Sequence, residues 1–267
     1  MERLPVSSIN NKDNSLNNGR YFLDCSLLQE EFSLLVNENQ EVDLLLLNLR
    51  EGNFVHFEIG KGSLLHLACV GKESIKQFKI SANVGQNSVF DGYFADFVQG
   101  SCKGEVVVNL NGDGAICYWH LASLAMGNDK KEFDVSSFHN AINTVSHLDN
   151  YGVVRENGKL QFSGICKIIN GSHGSKAHQN AKIMVFDKLS DGIAKPILKI
   201  DDNDIEASHS AVVGKINDEH IFYLTSRGLN EDEAKRIITL GYLKPILNGF
   251  SDEEMKKEIE SIIEGNM

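Results

Sequence analysis

The sequence lacks two short motifs that often reveal an enzymatic activity directly. It has no G-x-x-x-x-G-K-[ST] loop, whose backbone amides hold nucleotide phosphates. It also has no G-x-S-x-G, the turn that exposes a nucleophilic serine. The sequence therefore does not indicate nucleotide hydrolysis by this chain. The absence of G-x-S-x-G leaves no motif that would identify a nucleophilic serine.

Closely spaced cysteines are also absent. The five cysteines are scattered and never form a Cys-x-x-Cys pair, at Cys25, Cys69, Cys102, Cys117 and Cys166. Structural zinc and iron–sulfur sites usually use close pairs of thiolates, so we expect no complete four-thiolate site within the chain. We expect free thiols in a reducing cytoplasm, with Cys166 as a small core residue.

Positive charge and long apolar runs are scarce. Lys and Arg number 26 against 37 Asp and Glu, a net charge of −11, so no dense basic stripe can neutralise a nucleic-acid backbone. The longest apolar run, Leu44 to Leu47, is far shorter than the ~20 residues that cross a bilayer. Met1 to Arg20 is polar and lacks the apolar core of a signal peptide. We therefore expect a cytoplasmic protein without nucleic-acid or membrane partners.

The residues that are present divide into three regions. Residues 1–40 are a polar lead that contains a helix-like stretch, Ser26 to Val36. Residues 41–213 contain short Val, Ile, Phe and Leu runs separated about every ten residues by Gly, Asn and Asp, which is typical of an all-β domain. Residues 214–267 have helical spacing. A sandwich, a jelly roll and a β-helix remain open, because each is a stack of short strands joined by turns.

Strand phase and helix starts can be read in places. Two capping boxes, Asn230 with Glu233 and Ser251 with Glu254, predict helix starts with acidic first turns. The apolar stripes of these helices need a partner surface, either the β domain or another protein. Alternation in one predicted strand indicates a buried face at Leu160, Phe162, Cys166 and Ile168.

His209 is the first candidate functional residue. Its predicted strand places it in phase with a row of apolar residues, Ile205, Ala207, Ala211 and Val213. One interpretation is a buried histidine that bonds a neighbouring carbonyl. The other is a metal-ligating or proton-handling imidazole at the end of the β domain.

Two pairs of residues that contain histidine suggest a metalloenzyme as an alternative. His56 and Glu58 are one strand repeat apart, as ligands in a β-barrel metal site are, and His139 and His147 lie at longer range. Strand histidines that face solvent explain both pairs equally well.

An acidic cluster suggests a glycan-active β-helix as a further alternative. Asp201, Asp202 and Asp204 could act as paired carboxylates in glycoside cleavage. A turn explains them too, because Asp and Asn bond their own backbone at such positions and Asn203 lies among them.

The stretch from Phe162 to Leu247 carries many features in a fixed order. They are Phe162-Ser163-Gly164, His178-Gln179-Asn180, Pro196 to Ile200, Asp204-Ile205, Ser208-His209, Val213-Gly214, Phe222-Tyr223-Leu224, Ser226-Arg227-Gly228-Leu229, Glu233-Ala234 and Gly241-Tyr242-Leu243. This ordered set resembles the SufB/SufD family of iron–sulfur cluster assembly scaffold proteins, most closely its shorter SufD-like members. His147 with Tyr151-Gly152 loosely resembles the segment just upstream.

The resemblance implies a mainly β fold: a right-handed parallel β-helix followed by a small C-terminal α-helical domain. It implies a non-catalytic scaffold whose β-helix pairs with a SufB-like subunit or a second copy of itself. A SufC-type ABC ATPase would be the other partner, docked on the C-terminal helices at Phe222, Tyr223, Arg227, Gly228, Leu229 and Ala234.

The resemblance also assigns a role to His209. It falls on the family histidine that is implicated in cluster assembly, here as a metal ligand shared with the partner. The family often has Cys two residues earlier, where this chain has Ala207. We therefore expect no cofactor bound stably by the chain alone, and a cluster held transiently in the complex with thiolates from the partner. A member that only caps or stabilises a complex is a further interpretation. The chain is also short for the family, which suggests a trimmed N-terminal region.

Overall fold

Two parallel β-sheets form most of the molecule. The structure is a computed structural model that describes residues 2–3, 14–71 and 77–265. The nine-stranded sheet contains, in spatial order, β1 (Glu2–Arg3), β3 (Gly19–Asp24), β5 (Glu41–Leu47), β7 (Leu64–Val70), β9 (Val89–Asp96), β11 (Ile116–Ala125), β13 (Val145–Val154), β15 (Ser175–Val185) and β17 (Ile205–Lys215). The eight-stranded sheet contains β2 (Ser15–Leu16), β4 (Glu31–Val36), β6 (Asn53–Ile59), β8 (Gln77–Val84), β10 (Cys102–Leu110), β12 (Lys130–His139), β14 (Lys159–Ile168) and β16 (Asp191–Ile200).

Consecutive strands alternate between the two sheets, so the backbone winds as a coil. Each turn of the coil adds one strand to each sheet, parallel to the strand before it, as β15 lies along β13 and β14 along β12. Backbone hydrogen bonds therefore run between turns and side chains point alternately into and out of the coil. The mainly β prediction is confirmed, and of the three architectures left open the chain adopts the parallel β-helix.

One corner of the coil repeats a left-handed backbone conformation. Asparagine and glycine alternate there with φ between 53° and 70°, at Asn39, Gly62, Asn87, Gly114, Asn143 and Gly174. These residue types tolerate positive φ best. Hydrogen-bonded corner residues of successive turns are 23 positions apart at Gln40 and Ser63 but 31 apart at Thr144 and Ser175. Because the turns lengthen toward the C-terminus, the sequence shows no fixed repeat.

The interior of the coil is an apolar core built from alternate strand residues. The phase predicted for β14 is confirmed, because the core includes Leu160, Phe162, Cys166 and Ile168. Aromatic rings on successive turns pack together, with centroids 6.3 Å apart for Phe57 and Phe90 and 6.2 Å apart for Phe90 and Trp119. Phe57 and Phe90 meet across the interior from opposite sheets, and Phe90 contacts Trp119 diagonally because its register partner on β11 is Cys117. Phe133 and Phe162 are register partners, and their ring centroids are 6.1 Å apart.

The helix predicted for Ser26 to Val36 is wrong. A short 3₁₀ helix at Cys25–Leu27 is followed by β4, in which Phe32, Leu34 and Val36 are buried and the intervening residues are exposed. Neighbouring leucines gave the stretch a helical spacing, but only one residue of the pair Leu34 and Leu35 faces the core. The β-helix therefore begins before residue 41, where the sequence placed its start.

In the part of the chain that the structure describes, three α-helices follow the coil: α1 (Asp218–Ser226), α2 (Glu231–Leu243) and α3 (Glu253–Gly265), with a 3₁₀ helix at Lys244–Gly249 before α3. We call α2, this 3₁₀ helix and α3 the helical cap. The cap packs on the outer face of the nine-stranded sheet and forms a second core, which includes Leu45, Ala68, Phe97, Leu124, Ile246, Phe250, Ile259 and Ile263. The partner surface that these helices require is thus the β-helix itself.

The two predicted capping boxes differ in outcome. Asn230 and Glu233 bond each other's backbone amides at 2.9 and 2.8 Å, so the first box is confirmed. The second is wrong, because Asp252 accepts the first-turn amides of α3. Ser251 instead donates to Asp43 on β5 at 2.7 Å, which ties the cap to the sheet. Among the residues described, no helix is long and apolar enough to span a bilayer.

Candidate functional site

His209 lies at the open end of the coil. It is on β17, the last strand of the nine-stranded sheet, where it pairs with Gln179 of β15. No described strand covers the other edge of β17, and His209 is exposed. The interpretation of His209 as a buried core histidine is therefore wrong. His209 lies on the same face of β17 as Ala207, which is half-buried against the core, but no further strand covers its imidazole among the described residues.

The turn beneath His209 is polar inside. The Gln179 side chain is buried, and its Oε1 has no hydrogen-bond partner among the described residues. Ser137 donates to the Cys166 sulfur at 3.3 Å in the same part of the coil. An orphaned buried carbonyl is costly unless water or another group satisfies it. The end of the coil thus presents the exposed imidazole of His209 next to the Gln179 side chain, whose buried carbonyl oxygen lacks a hydrogen bond among the described residues.

Thiolate ligands are not available at this end. All five cysteines are buried, and burial raises the pKa of each thiol, at Cys25, Cys69, Cys102, Cys117 and Cys166. Protonated, buried thiols are poor ligands. No group of three or more His, Cys, Asp or Glu in residues 14–71 and 77–265 is arranged to hold a metal ion. The assignment of His209 as a ligand shared with the partner remains a prediction.

The two long-range histidines are separated by the wall of the coil. His139 is inside, where its ring nitrogens lie 2.8 Å from the hydroxyls of Thr144 and Ser146. Burial lowers the pKa of His139 to about 4, so the ring is neutral. His147 is on the outer surface and stacks on His178, with ring centroids 4.7 Å apart. The prediction that His139 and His147 form one ligand pair is wrong.

His56 and Glu58 do meet, on the outer face of the eight-stranded sheet. His56 Nε2 is 2.8 Å from Glu58 Oε1 and His56 Nδ1 is 2.6 Å from the Ser81 hydroxyl. Asn83 donates to the same Glu58 oxygen at 2.6 Å. Both ring nitrogens thus have protein partners, which supports the interpretation as a surface network.

The acidic cluster forms a turn. Asp202 is buried and accepts the backbone amides of Gly171 at 2.9 Å and Asp204 at 3.0 Å, while His173 Nδ1 lies 3.1 Å away. The amide of Asp204 makes the largest contribution to lowering the pKa of Asp202. A carboxylate that binds two backbone amides fixes its turn, so the geometry supports the turn interpretation over glycan chemistry.

α1 is the least covered element of the C-terminal region. It buries no residue, whereas α2 and α3 each bury three. Phe222 and Tyr223 are 74% and 57% exposed, and the Arg227 guanidinium lies 5.2 Å from the Tyr223 ring centroid. Exposed aromatic and arginine side chains in one patch are typical of interaction surfaces.

The other predicted docking residues have structural roles. Gly228 has φ of +99°, and the amides of Gly228 and Leu229 bond the carbonyls of Thr225 and Leu224, which is the Schellman ending of α1. Ala234 is fully buried in α2. It cannot meet a partner in this arrangement, so this part of the docking prediction is corrected. The exposed members are Phe222, Tyr223, Arg227 and Gly228, and Leu229 is half-buried.

Sequence reasoning missed a row of ring-bearing and acidic side chains on the outer face of the nine-stranded sheet. Parallel register brings together His66, Asp91, Tyr93, Tyr118, His120, His147, Asp149 and His178. The signal was available as His, Tyr and Asp recurring at the outward positions of the odd-numbered strands. It could be used only once the register was known, because a slip of one residue would turn the same side chains inward.

Comparison with known proteins identifies the family. Residues 26–242 match the SufBD core domain of SUF-system FeS cluster assembly. The iron–sulfur cluster assembly protein SufD of Bacillus subtilis is 29% identical over 180 residues, 67% of this chain and 41% of that protein. SufB of the same organism is 27% identical over 161 residues, 59% of this chain and 35% of that protein. SufD of Escherichia coli is 28% identical over 152 residues, 56% of this chain and 36% of that protein.

The chain thus spans less than half the length of these relatives. The family match begins within the first turns of the coil and ends in α2. It covers most of the chain, and the resemblance inferred from Phe162 to Leu247 is confirmed. The chain belongs to the SufBD core family of SUF-system iron–sulfur cluster assembly proteins.

Proposed function

We propose that this chain is a SufD-like scaffold subunit of a cytoplasmic iron–sulfur cluster assembly complex. In this proposal it is not an enzyme, and it pairs through its β-helix with a SufB-like subunit or a second copy of itself. A SufC-type ABC ATPase docks on α1. The observation that carries the proposal is the state of α1: it presents two exposed aromatic side chains and buries none of its residues.

The exposure of α1 favours an ATPase partner on this side of the molecule. A helix with no buried face gains little stability from its own chain. The Schellman ending at Gly228 and the capped start of α2 at Asn230 define the short turn between the two helices. A defined connection limits the positions that α1 samples relative to α2, which favours binding through its outward aromatic side chains. The chain has no nucleotide loop of its own, so ATP would be hydrolysed by the partner.

The open end of the coil supports pairing with another scaffold subunit. β16 and β17 end their sheets, and the described part of the chain adds no further strand to either edge. Apolar side chains on these two strands are exposed, at Ile197, Ile200, Val212 and Val213. Unpaired strand edges with apolar side chains are templates for association with another chain. Pairing there would place His209 in the interface.

The iron–sulfur cluster is cargo in this proposal. His209 contributes an accessible imidazole at the paired end, and thiolates come from the partner because the cysteines of this chain are buried and protonated. Ala207 supports this division, since it stands where the family pattern often has cysteine.

The docking role is tested with the double variant Phe222→Ser and Tyr223→Ser. Co-purification with a SufC-type ATPase should weaken by about 10-fold or more, as for loss of an aromatic hot spot. The free energy of unfolding should change by less than about 0.5 kcal/mol per site because both side chains are exposed. The result of deleting residues 215–267 would be harder to interpret, because the deletion would expose the sheet residues of the second core.

Leu189→Ser is the matched control for the docking test. Leu189 is 75% exposed in the turn between β15 and β16, so its replacement removes a similar exposed apolar side chain elsewhere. The control should bind the ATPase like the unmodified chain. Binding by the double variant at full strength would contradict docking on α1.

The role of His209 is tested by His209→Ala in a complex reconstituted with a SufB-like subunit and the ATPase. Cluster formation, followed by the absorbance of the iron–sulfur chromophore, should fall while folding and ATPase binding remain normal. Ser210→Ala, one residue along β17 on its opposite face, is the control. Equal cluster yields from both variants would remove His209 from the assembly site. Stoichiometric metal in the chain purified alone would instead favour the metalloenzyme alternative.

A further inference from the structure

A cavity of about 450 Å³ lies between the outer face of the nine-stranded sheet and the helical cap. The sheet contributes Tyr93, His120, Asp149 and Tyr151, and the cap contributes Tyr242 and Asn248. This volume is within the range of small-molecule sites. The cavity uses neither His209 nor α1, so the proposed scaffold function leaves it without a role.

The walls of the cavity are aromatic. Tyr93 stacks on His120 with ring centroids 4.5 Å apart and planes 25° from parallel. Tyr151 meets Tyr242 edge to face across the boundary between sheet and cap, with centroids 5.7 Å apart. The Lys182 ammonium lies 5.6 Å from the Tyr151 ring centroid, so this ring already makes one cation–π contact within the chain.

Asp149 is the one carboxylate among the described residues that line the cavity. Burial raises the pKa of Tyr93 and of Tyr242 to about 12, so both phenols are neutral near pH 7. Burial also lowers the pKa of His120, which favours the uncharged ring. Among the described residues, none of those that line the cavity is Lys, Arg or Glu. At neutral pH the cavity therefore combines neutral aromatic walls with one negative charge.

The Asp149 carboxylate lacks a close cationic partner within the described chain. Asn180 donates to Oδ1 at 3.3 Å, and His120 Nδ1 is 3.9 Å from Oδ2, which is too far for a hydrogen bond. No Lys or Arg forms an ion pair with Asp149 among the described residues. The Asn180 carbonyl oxygen beside it is buried without a partner. The Asn180 oxygen does not line the cavity, so the Asp149 carboxylate is the acceptor that remains for a ligand donor.

We propose that this cavity binds a small, flat organic cation of the amidinium or guanidinium type. Its N–H groups would bond Asp149, and its apolar body would lie against the rings of Tyr93, His120, Tyr151 and Tyr242. A planar, delocalised cation matches the site because it stacks on aromatic faces and donates several parallel hydrogen bonds to a carboxylate. The ligand bridges the sheet and the cap, so it stabilises their contact.

Benzamidine is the probe, and benzamide, which has nearly the same shape and no charge, is the control ligand. Calorimetry on the full chain should detect benzamidine binding and at least 10-fold weaker binding of benzamide. Asp149→Asn should weaken benzamidine binding by at least 10-fold. Asp134→Asn is the matched control, because Asp134 is an outward aspartate on β12 that bonds two serine hydroxyls; its affinity should be unchanged.

Two substitutions at Tyr151 distinguish loss of the binding site from loss of the fold. Tyr151→Phe keeps the ring and should retain benzamidine binding, whereas Tyr151→Leu should lose it with the same thermal midpoint. Equal binding of benzamidine and benzamide would show that the cavity is a nonspecific apolar pocket, and it would overturn the proposal. So would the absence of benzamidine binding, or full affinity in a folded Asp149→Asn variant.

Discussion

His66 joins the helical cap to the β-helix through both of its ring nitrogens. Nε2 is 2.7 Å from the Gly249 carbonyl oxygen and Nδ1 is 3.0 Å from an Asp91 carboxylate oxygen. Both partners are acceptors, so the ring makes both bonds only as an imidazolium. Burial alone lowers the pKa of His66, but the bonds to Asp91 and Gly249 and the charges of Asp91 and Asp43 outweigh it, so the pKa is raised.

His66→Phe removes both donors and keeps a ring for the contact with Tyr93, whose centroid is 5.3 Å away. A hydrogen bond to a charged group contributes about 1.5–3 kcal/mol. The His66 and Asp91 side chains are 23% and 24% exposed, so water partly replaces the lost bonds and the low end of the range applies. We expect a loss of about 2–3 kcal/mol at about pH 6.

The loss should depend on pH with a defined sign. The pKa of His66 is higher in the folded than in the unfolded chain, so its stabilisation is complete below the unfolded value and declines as pH rises through the folded value. Urea unfolding of the unmodified chain and His66→Phe should therefore give a larger difference at about pH 6 than at about pH 9. His220→Gln, an exposed histidine on α1, is the control. A difference that grows with pH, or does not change, would refute the imidazolium bridge.

Three further results are expected. Phe250→Ala, which empties a fully buried position in the second core, should lower the free energy of unfolding by about 3–5 kcal/mol in urea titrations; a loss below about 1 kcal/mol would mean that the cap contributes little. Lys131→Met should cost about 3–5 kcal/mol in the same assay, because the buried Lys131 ammonium bonds Asp96 at 2.9 Å and its removal leaves that buried charge with a bond from the Ser123 hydroxyl but without a cation; adding Asp96→Asn should recover part of the loss. The five buried cysteines should react with a thiol reagent only as fast as the chain opens, and one rapidly labelled cysteine would contradict their exclusion as ligands.

The local sequence pattern predicted the structure correctly where burial or hydrogen bonding depends on residues close together in the sequence. The alternation in β14 predicted which side chains are buried, and the Asn230–Glu233 box predicted the start of α2. The same reasoning failed at Ser26 to Val36, where neighbouring leucines have helical spacing although residues 31–36 form a strand. It also failed at Ser251, whose hydroxyl donates to Asp43 on β5 instead of capping α3. In both cases a contact between residues far apart in sequence outweighed the local preference.

The sequence by itself determined the class of the molecule: a mainly β chain with C-terminal helices, five scattered cysteines and an ordered set of features from Phe162 to Leu247 that indicates the SufBD family. Only the tertiary structure decided which of the candidate residues are accessible. His209 is exposed because β17 is the last turn of the coil, and Ala234 is buried because α2 lies on the sheet. The cavity beside Asp149 exists because parallel register brings outward side chains of successive turns into one row and the helical cap packs over that row. Accessibility and juxtaposition of this kind depend on strand register and on the packing of distant segments, which no local pattern encodes.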